Sequence, residues 1–195
     1  MVYHRKSFNR SDPVSRFAEA DPKTLTDAQR VVYDAMVAGP RGAVVGPFHP
    51  LLRSPELCAR AQSLGAYLRF DSALPPRLSE LAILVTARFW SAQFEWHEHA
   101  KFAAKGGLSD AAIEAIRVGD DPGDILQDDE KAVHAFAVAL HTHHVVDDAT
   151  YAEATAQLGE AGVTDLVGLL GYYTLISMVL NTFEVPVPGG ATPLA

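Results

Sequence analysis

The chain has 195 residues, 48% of them hydrophobic and 21% charged, and a formal net charge of −8. That length favours one domain with a sizeable core, and the composition is that of a folded globular protein rather than a disordered one. The acidic balance argues against a general binder of nucleic acid or anionic membrane, since either partner selects a basic face that attracts phosphates.

The chain opens on a short basic cluster, YHRKSFNR, at residues 3–10. It reads as a solvated arm, because too little of the domain's charge stands behind it to make a functional patch. MVYHRKSFNRSDP has positive charge but lacks the apolar stretch of a secretory signal, so a cytoplasmic location is expected. The expected organisation is an N-terminal arm over 1–24, a helical domain over 25–188 and a tail over 189–195.

TDAQRVVYDAMVAG carries a capping box, Thr26 with Gln29, and a stop at Gly39-Pro40, and predicts the first helix. RGAVVGPFHPLL, rich in Gly and Pro, predicts an irregular crossing. SPELCARAQSLGAYLRF starts with Ser54 as N-cap and Pro55 at the first helical position. Its apolar stripe is read as Leu57, Ala61, Leu64 and Leu68. Cys58, the single cysteine, lies beside that stripe and reads as a small buried hydrophobe. One cysteine excludes an intrachain disulfide and a dithiol centre.

Pro75-Pro76 begins the next helix, PRLSELAILVTARFW, which is apolar enough for central burial and carries Glu80 in its first turns. The run bends or breaks at Ser91, and a helix then continues through AQFEWHEHAKFAAK to the Gly106-Gly107 stop. LSDAAIEAIRVG has Ser109 as N-cap, with Leu108 and Ile113 placed to form a hydrophobic staple. DDEKAVHAFAVALHTHH follows a loop, with acids at its start and histidines at its end, as the helix dipole favours. DDATYAEATAQLGEAG and TDLVGLLGYYTLISMVLNTFE complete the set. The apolar run Leu166 to Leu180 is too short for a bilayer span and predicts a buried helix, with Gly168 and Gly171 allowing close approach. No segment alternates as a strand does, so the fold class is all-α, a single-domain bundle of about seven helices.

Glu95 and His99 are four residues apart and share one helix face. A carboxylate on an imidazole sets its tautomer and raises its basicity, as a general base or metal ligand requires. On spacing alone, the reading as an ordinary surface pair, worth about 0.2–0.5 kcal/mol, leads. His97 and Glu98 point elsewhere, because neighbours diverge by roughly 100° per residue, and solvent exposure beside Lys101 is the reading for Glu98. A metal site from Glu95, His97 and His99 lacks the shared face of an H-E-x-x-H helix. HTHH at 141–144 reads as partly solvated histidines compensating a helix dipole. Tyr172, Tyr173 and Asn181 are polar handles in apolar surroundings, each a satisfied core group or a donor to a pocket.

LSELAILVTARFWSAQFEWHEHAKFAAKGGLSDAAIEAI, residues 78–116, resembles the central motif of the carboxymuconolactone decarboxylase and alkylhydroperoxidase D superfamily. The matching elements are Glu80 on one helix, a break, a short reactive segment, His99 and the GLS turn that follows. LLRSPEL and LGAYLRF before it, and GLLGYYTLISMVLNTFEVPVP after it, extend the resemblance over about residues 25–188. The peroxidase branch uses a C-x-x-C pair whose two positions are held here by Ala92 and Glu95. That departure leaves no thiolate for a hydroperoxide, and Cys58 lies on another helix.

The resemblance therefore implies an alkylhydroperoxidase D-like fold and a cofactor-free, decarboxylase-like lyase acting by acid/base catalysis on a small carboxylated or lactone substrate. His99, oriented by Glu95, is the implied proton-transfer group, with Glu80 as a second acid/base or orienting carboxylate. Trp96, His97 and Tyr172 are the expected substrate contacts. The family also implies a homo-oligomer, trimer or hexamer, while charge, hydropathy and residue spacing lead to no expectation of a nucleic acid, membrane or metal partner. The alternatives are an antioxidant peroxidase, a metal-dependent protein built on Glu95, His97 and His99, and a non-catalytic helical oligomer.

Overall fold

A computed structural model describes residues 16–194. Eight α-helices follow one another along the chain: α1 Asp27–Ala38, α2 Phe48–Leu51, α3 Pro55–Phe70, α4 Pro76–Phe89, α5 Gln93–Gly106, α6 Asp110–Val118, α7 Asp128–His143 and α8 Asp148–Phe183. Short 3-10 turns at Gly123–Ile125 and Pro188–Gly190 complete the regular structure. The single-turn α2 within the Gly/Pro-rich crossing was not expected, and the two segments expected as separate helices, DDATYAEATAQLGEAG and TDLVGLLGYYTLISMVLNTFE, run together as α8.

Local signals place the helix starts. Thr26 and Gln29 form the reciprocal capping box of α1, Ser109 accepts from the Ala112 N–H at 3.2 Å, and Asp147 accepts from Thr150 N–H at 2.8 Å. Pro55 and Pro76 stand in the first turns of α3 and α4. Ser54 occupies the N-cap of α3, but its hydroxyl makes no capping bond.

α4 is the central element. Ten of its residues are buried, and it packs against α5, α6, α7 and α8. At its start Arg77 pairs with Asp129 at 2.7 Å and with Glu130 at 2.5 Å, tying α4 to the acidic first turn of α7. Such partly buried, bidentate contacts hold two helix ends in register, beyond what an exposed pair does.

Two apolar faces differ from expectation. On α3 the buried stripe is Cys58, Ala61, Gly65 and Leu68, while Leu57 and Leu64 are exposed. The shift has a steric cause: α3 meets α8 through its smallest side chains, and a Cβ on Gly65 would lie 2.1 Å from the Tyr172 hydroxyl. On α8 the close approach expected at Gly171 is absent, since a Cβ there would meet nothing within 4 Å, whereas a Cβ at Gly168 would stand 3.4 Å from the Leu68 side chain of α3. By length and composition α8 could cross a membrane, but 56% of its most apolar window is buried inside the domain, with Leu166, Leu169 and Leu170 in the core.

α8 is broken at Gly159, whose φ of 70° and ψ of 170° fall in a region open to glycine and essentially closed to L side chains. An added Cβ there would touch nothing within 4 Å, so the cost of a side chain is purely conformational. Gly159→Ala is expected to destabilise the fold by about 1–3 kcal/mol. Gly171→Ala, in ordinary helix, is expected to stabilise it by up to about 1 kcal/mol. Urea denaturation of the two variants checks the contrast, and equal midpoints would refute it.

The basic cluster at 3–10 lies outside the described residues. The described part of the expected arm, residues 16–24, docks on the domain. The Phe17 ring meets His49 edge-on at 5.8 Å, Ala20 N–H donates to His49 Nδ1 at 3.1 Å, and Arg53 donates to the Arg16 carbonyl at 2.9 Å. The expected tail docks as well: Leu194 is buried, its N–H donates to Gln93 Oε1 at 2.9 Å, and Arg117 donates to the Pro193 carbonyl at 3.0 Å.

Candidate active site

The run breaks at Ser91 rather than bending. Ser91 takes a φ of 49°, and the Ala92 N–H donates back to the Ala87 carbonyl at 2.9 Å, so α5 turns back along α4. That hairpin brings the second turn of each helix together. His99 Nδ1 lies 2.6 Å from Glu80 Oε2, and His99 Nε2 lies 3.0 Å from Glu95 Oε1. All three residues are buried, at 7%, 4% and 5% exposure for Glu80, Glu95 and His99. The expected surface pair is therefore an interior triad, with Glu95 in the first turn of α5 at the positive end of its dipole.

Carboxylates only accept, so each ring nitrogen that faces one must carry a proton, and the geometry is that of an imidazolium. Burial pulls the imidazolium pKa down. The charge of Glu95, the hydrogen bond and charge of Glu80 and the hydrogen bond to Glu95 outweigh it, and the pKa is raised to about 9. At neutral pH His99 is thus charged and proton-loaded. This refines the sequence reading of His99 as a base: in its resting state it is the acid of the triad.

Glu95 and His99 form part of the wall of a cavity of about 350 Å³, together with Arg41, Arg69, Phe94, Phe102, Tyr172 and Tyr173. Glu80 stands behind His99, away from the cavity wall. The Tyr173 ring meets His99 edge-on at 5.1 Å and Tyr172 at 5.2 Å, so an aromatic cluster from α8 packs against the imidazole. Burial pushes the Tyr172 hydroxyl up to about 12 and that of Tyr173 well above its usual value. Both phenols stay neutral and available as hydrogen-bond donors.

Of the expected substrate contacts, Tyr172 is in the cavity wall and Trp96 and His97 are not. Trp96 is 3% exposed and belongs to the hydrophobic core, because one residue beyond Glu95 the helix has turned by roughly 100° toward its neighbours. His97 lies on the other side, with Nε2 3.7 Å from Glu98. Glu98, expected to be solvent-exposed beside Lys101, is half-buried: it pairs with Lys101 at 3.2 Å and also lines the cavity. Asn181 is satisfied by the Trp90 carbonyl at 2.8 Å. Arg41 and Arg69 escaped the sequence reading. A cation between Pro40 and Gly42 in an otherwise apolar crossing was the one available signal.

Among the described residues no group of three or more His, Cys, Asp or Glu is arranged to hold a metal ion. His141 does not act as a helix-end cation: it stacks on Phe89 at 4.8 Å, lies 3.0 Å from Thr86 Oγ1, and burial lowers its pKa. His143 and His144 are exposed. A larger hollow of about 890 Å³, lined by His134, His141 and Asp120, Asp121 and Asp124, contains no imidazole–carboxylate ion pair among the described residues. Cys58 is fully buried, and its thiol is pushed up to about 11 by burial, so it is a neutral core group.

No family model and no curated protein matches the sequence. Among solved structures, the chain is similar to the ligand-free debrominase Bmp8, with a TM-score of 0.65 and 14% identity over 86% of this chain and 88% of that one. A cysteine-to-alanine variant of the same debrominase, in complex with 2,3,4-tribromopyrrole, gives a TM-score of 0.65 and 14% identity over 94% of both chains. At such identity the likeness establishes the fold: an all-helical, alkylhydroperoxidase D-like single domain.

Proposed function

We propose that the protein is a cofactor-free acid/base enzyme, a lyase resembling carboxymuconolactone decarboxylase, acting on a small carboxylated or lactone substrate. The observation that carries this reading is the buried His99, held between Glu80 and Glu95 at the wall of a cavity that fits one small ring. A debrominase of the same fold binding a brominated pyrrole is consistent with a cavity for small planar rings. The site is on the scale of small-ligand pockets, and its charge arrangement is preorganised.

In the decarboxylation, the bond between the ring carbon and the departing carboxylate breaks and its electron pair passes into the conjugated lactone carbonyl, leaving an enolate. Glu95 carries a proton from His99 Nε2 to that carbon as CO2 leaves. Glu80 keeps Nδ1–H hydrogen-bonded, so the imidazole retains its orientation, and solvent restores the transferred proton. Arrangements of this kind contribute on the order of 10²–10⁴-fold to rate.

The test is solvent isotope incorporation. Purified protein in D2O, given a panel of unsaturated carboxylated lactones, is expected to release CO2 and to place one deuterium at the carbon that lost it, as read by mass spectrometry. Absence of both CO2 release and deuterium exchange across the panel would refute the reading. Hydroperoxide turnover abolished by Cys58→Ala would replace it with the peroxidase alternative.

A further inference from the structure

Arg41 stands in the crossing between α1 and α2 and forms part of the cavity wall. Its guanidinium lies over the Phe48 ring, 4.3 Å from the centroid. Nε and Nη2 make up one edge of the guanidinium fork. Both are closed off from solvent and have no hydrogen-bond partner among the described residues. A buried charged donor without an acceptor is costly, so a fold that keeps one commonly reserves it for a ligand. The unfilled edge has the two-pronged shape that a carboxylate satisfies with parallel N–H···O bonds, and because neither nitrogen is open to water the Arg41 side chain must rotate toward the cavity to present it.

Arg69, on α3, approaches from another wall of the same cavity. Its guanidinium lies 5.3 Å from the centroids of both Phe70 and Phe102, and no ion pair engages it among the described residues. Both arginines line the cavity together with Tyr172, so the two positive charges border the same hollow. Glu95 and His99 lie on the α5 wall. Aromatic side chains make up much of the remaining wall, and a volume of about 350 Å³ suits one ring with a short substituent.

We propose that Arg41 and Arg69 form a carboxylate-binding subsite that takes a small planar acid and sets the rest of its ring against Glu95 and His99. The first half stands on the unfilled guanidinium edge; only the second half rests on the acid/base reading. Arg41 is the geometric determinant, through its fork. Arg69 adds charge and stacking, which an amide in its place lacks.

Calorimetric titration with benzoate, with its neutral isostere benzamide and with inorganic phosphate tests the proposal. Wild-type protein is expected to bind benzoate at least tenfold more tightly than benzamide or phosphate. Arg41→Gln and Arg69→Gln are each expected to weaken benzoate by about 10–100-fold, the usual loss for a charged hydrogen bond, with benzamide unchanged. Arg41→Lys, which keeps the charge without the fork, should fall between wild type and Arg41→Gln, and covers the case in which the glutamine variant fails to fold. Benzoate affinity unchanged in Arg41→Lys and Arg69→Gln, or benzamide or phosphate binding as tightly as benzoate, would overturn the subsite. Arginine-dependent benzoate binding by a protein that turns over no carboxylated lactone would sink the acid/base reading and leave the subsite standing.

Discussion

Glu95→Gln lowers kcat by about 10²–10⁴-fold while the helical circular dichroism and the cooperative unfolding transition persist. Glutamine fills the same volume and its amide oxygen can still accept from His99 Nε2–H, so the contact that stands at 3.0 Å survives in form. What is lost is an oxygen able to take the proton and hand it to the substrate carbon. His99→Ala removes the proton store itself and is expected to lose activity to a similar extent. Glu80→Gln is expected to behave differently, because Glu80 touches His99 at 2.6 Å but does not line the cavity. It is a positioning residue: its charge helps to hold the His99 pKa up, so neutralising it should move the basic limb of the pH–rate profile to lower pH. Full turnover in both Glu95→Gln and His99→Ala would remove the triad from the mechanism. A Glu80→Gln profile with a lower plateau and an unmoved basic limb would make Glu80 merely structural.

Stability falls as pH rises from about 6.5 to about 9. The folded pKa of His99, about 9, lies above its unfolded value of 6.5, so the folded state binds the extra proton. The stabilisation is fully present below 6.5 and is lost as pH climbs through the folded value. The gap between the two values corresponds to about 3 kcal/mol at most, a large share of the total for a domain of this size. Urea denaturation at a series of pH values reads it directly, and His99→Gln should flatten the slope over this window. The Cys58 thiol also stays protonated longer in the folded state, but its usual value is 9.0 and its folded value about 11, so it adds a further decline only above pH 9. A wild-type stability that is flat between pH 6.5 and 9 would mean that His99 is not held as a charged group.

Much of the fold is legible in short-range chemistry. The capping box at Thr26, the prolines at the starts of α3 and α4, the Ser109 cap and the glycine stops act within a turn of the backbone, so composition over a few residues specifies where helices begin and end. The shared face of Glu95 and His99 is equally local, a consequence of four-residue spacing. Glu80 is a different case: its partnership with His99 spans 19 residues, and resemblance to a family, not spacing, pointed to it.

Which helix faces meet was not legible in the same way. Leu57 and Leu64 look like core and are exposed, because the packing of Tyr172 against Gly65 sets the rotation of α3, a constraint from more than a hundred residues away. Trp96 looks like a pocket residue and is core, because its side of α5 faces the hydrophobic interior rather than the cavity. Arg41 and Arg69 gain their meaning from a cavity whose walls come from α3, α5, α8 and the crossing before α2. Spacing along a helix is set by backbone geometry and can be read from the residues in order. The protonation of His99 and the unfilled edge of Arg41 depend on desolvation and on charges brought near by folding, so they exist only once distant segments have closed around them.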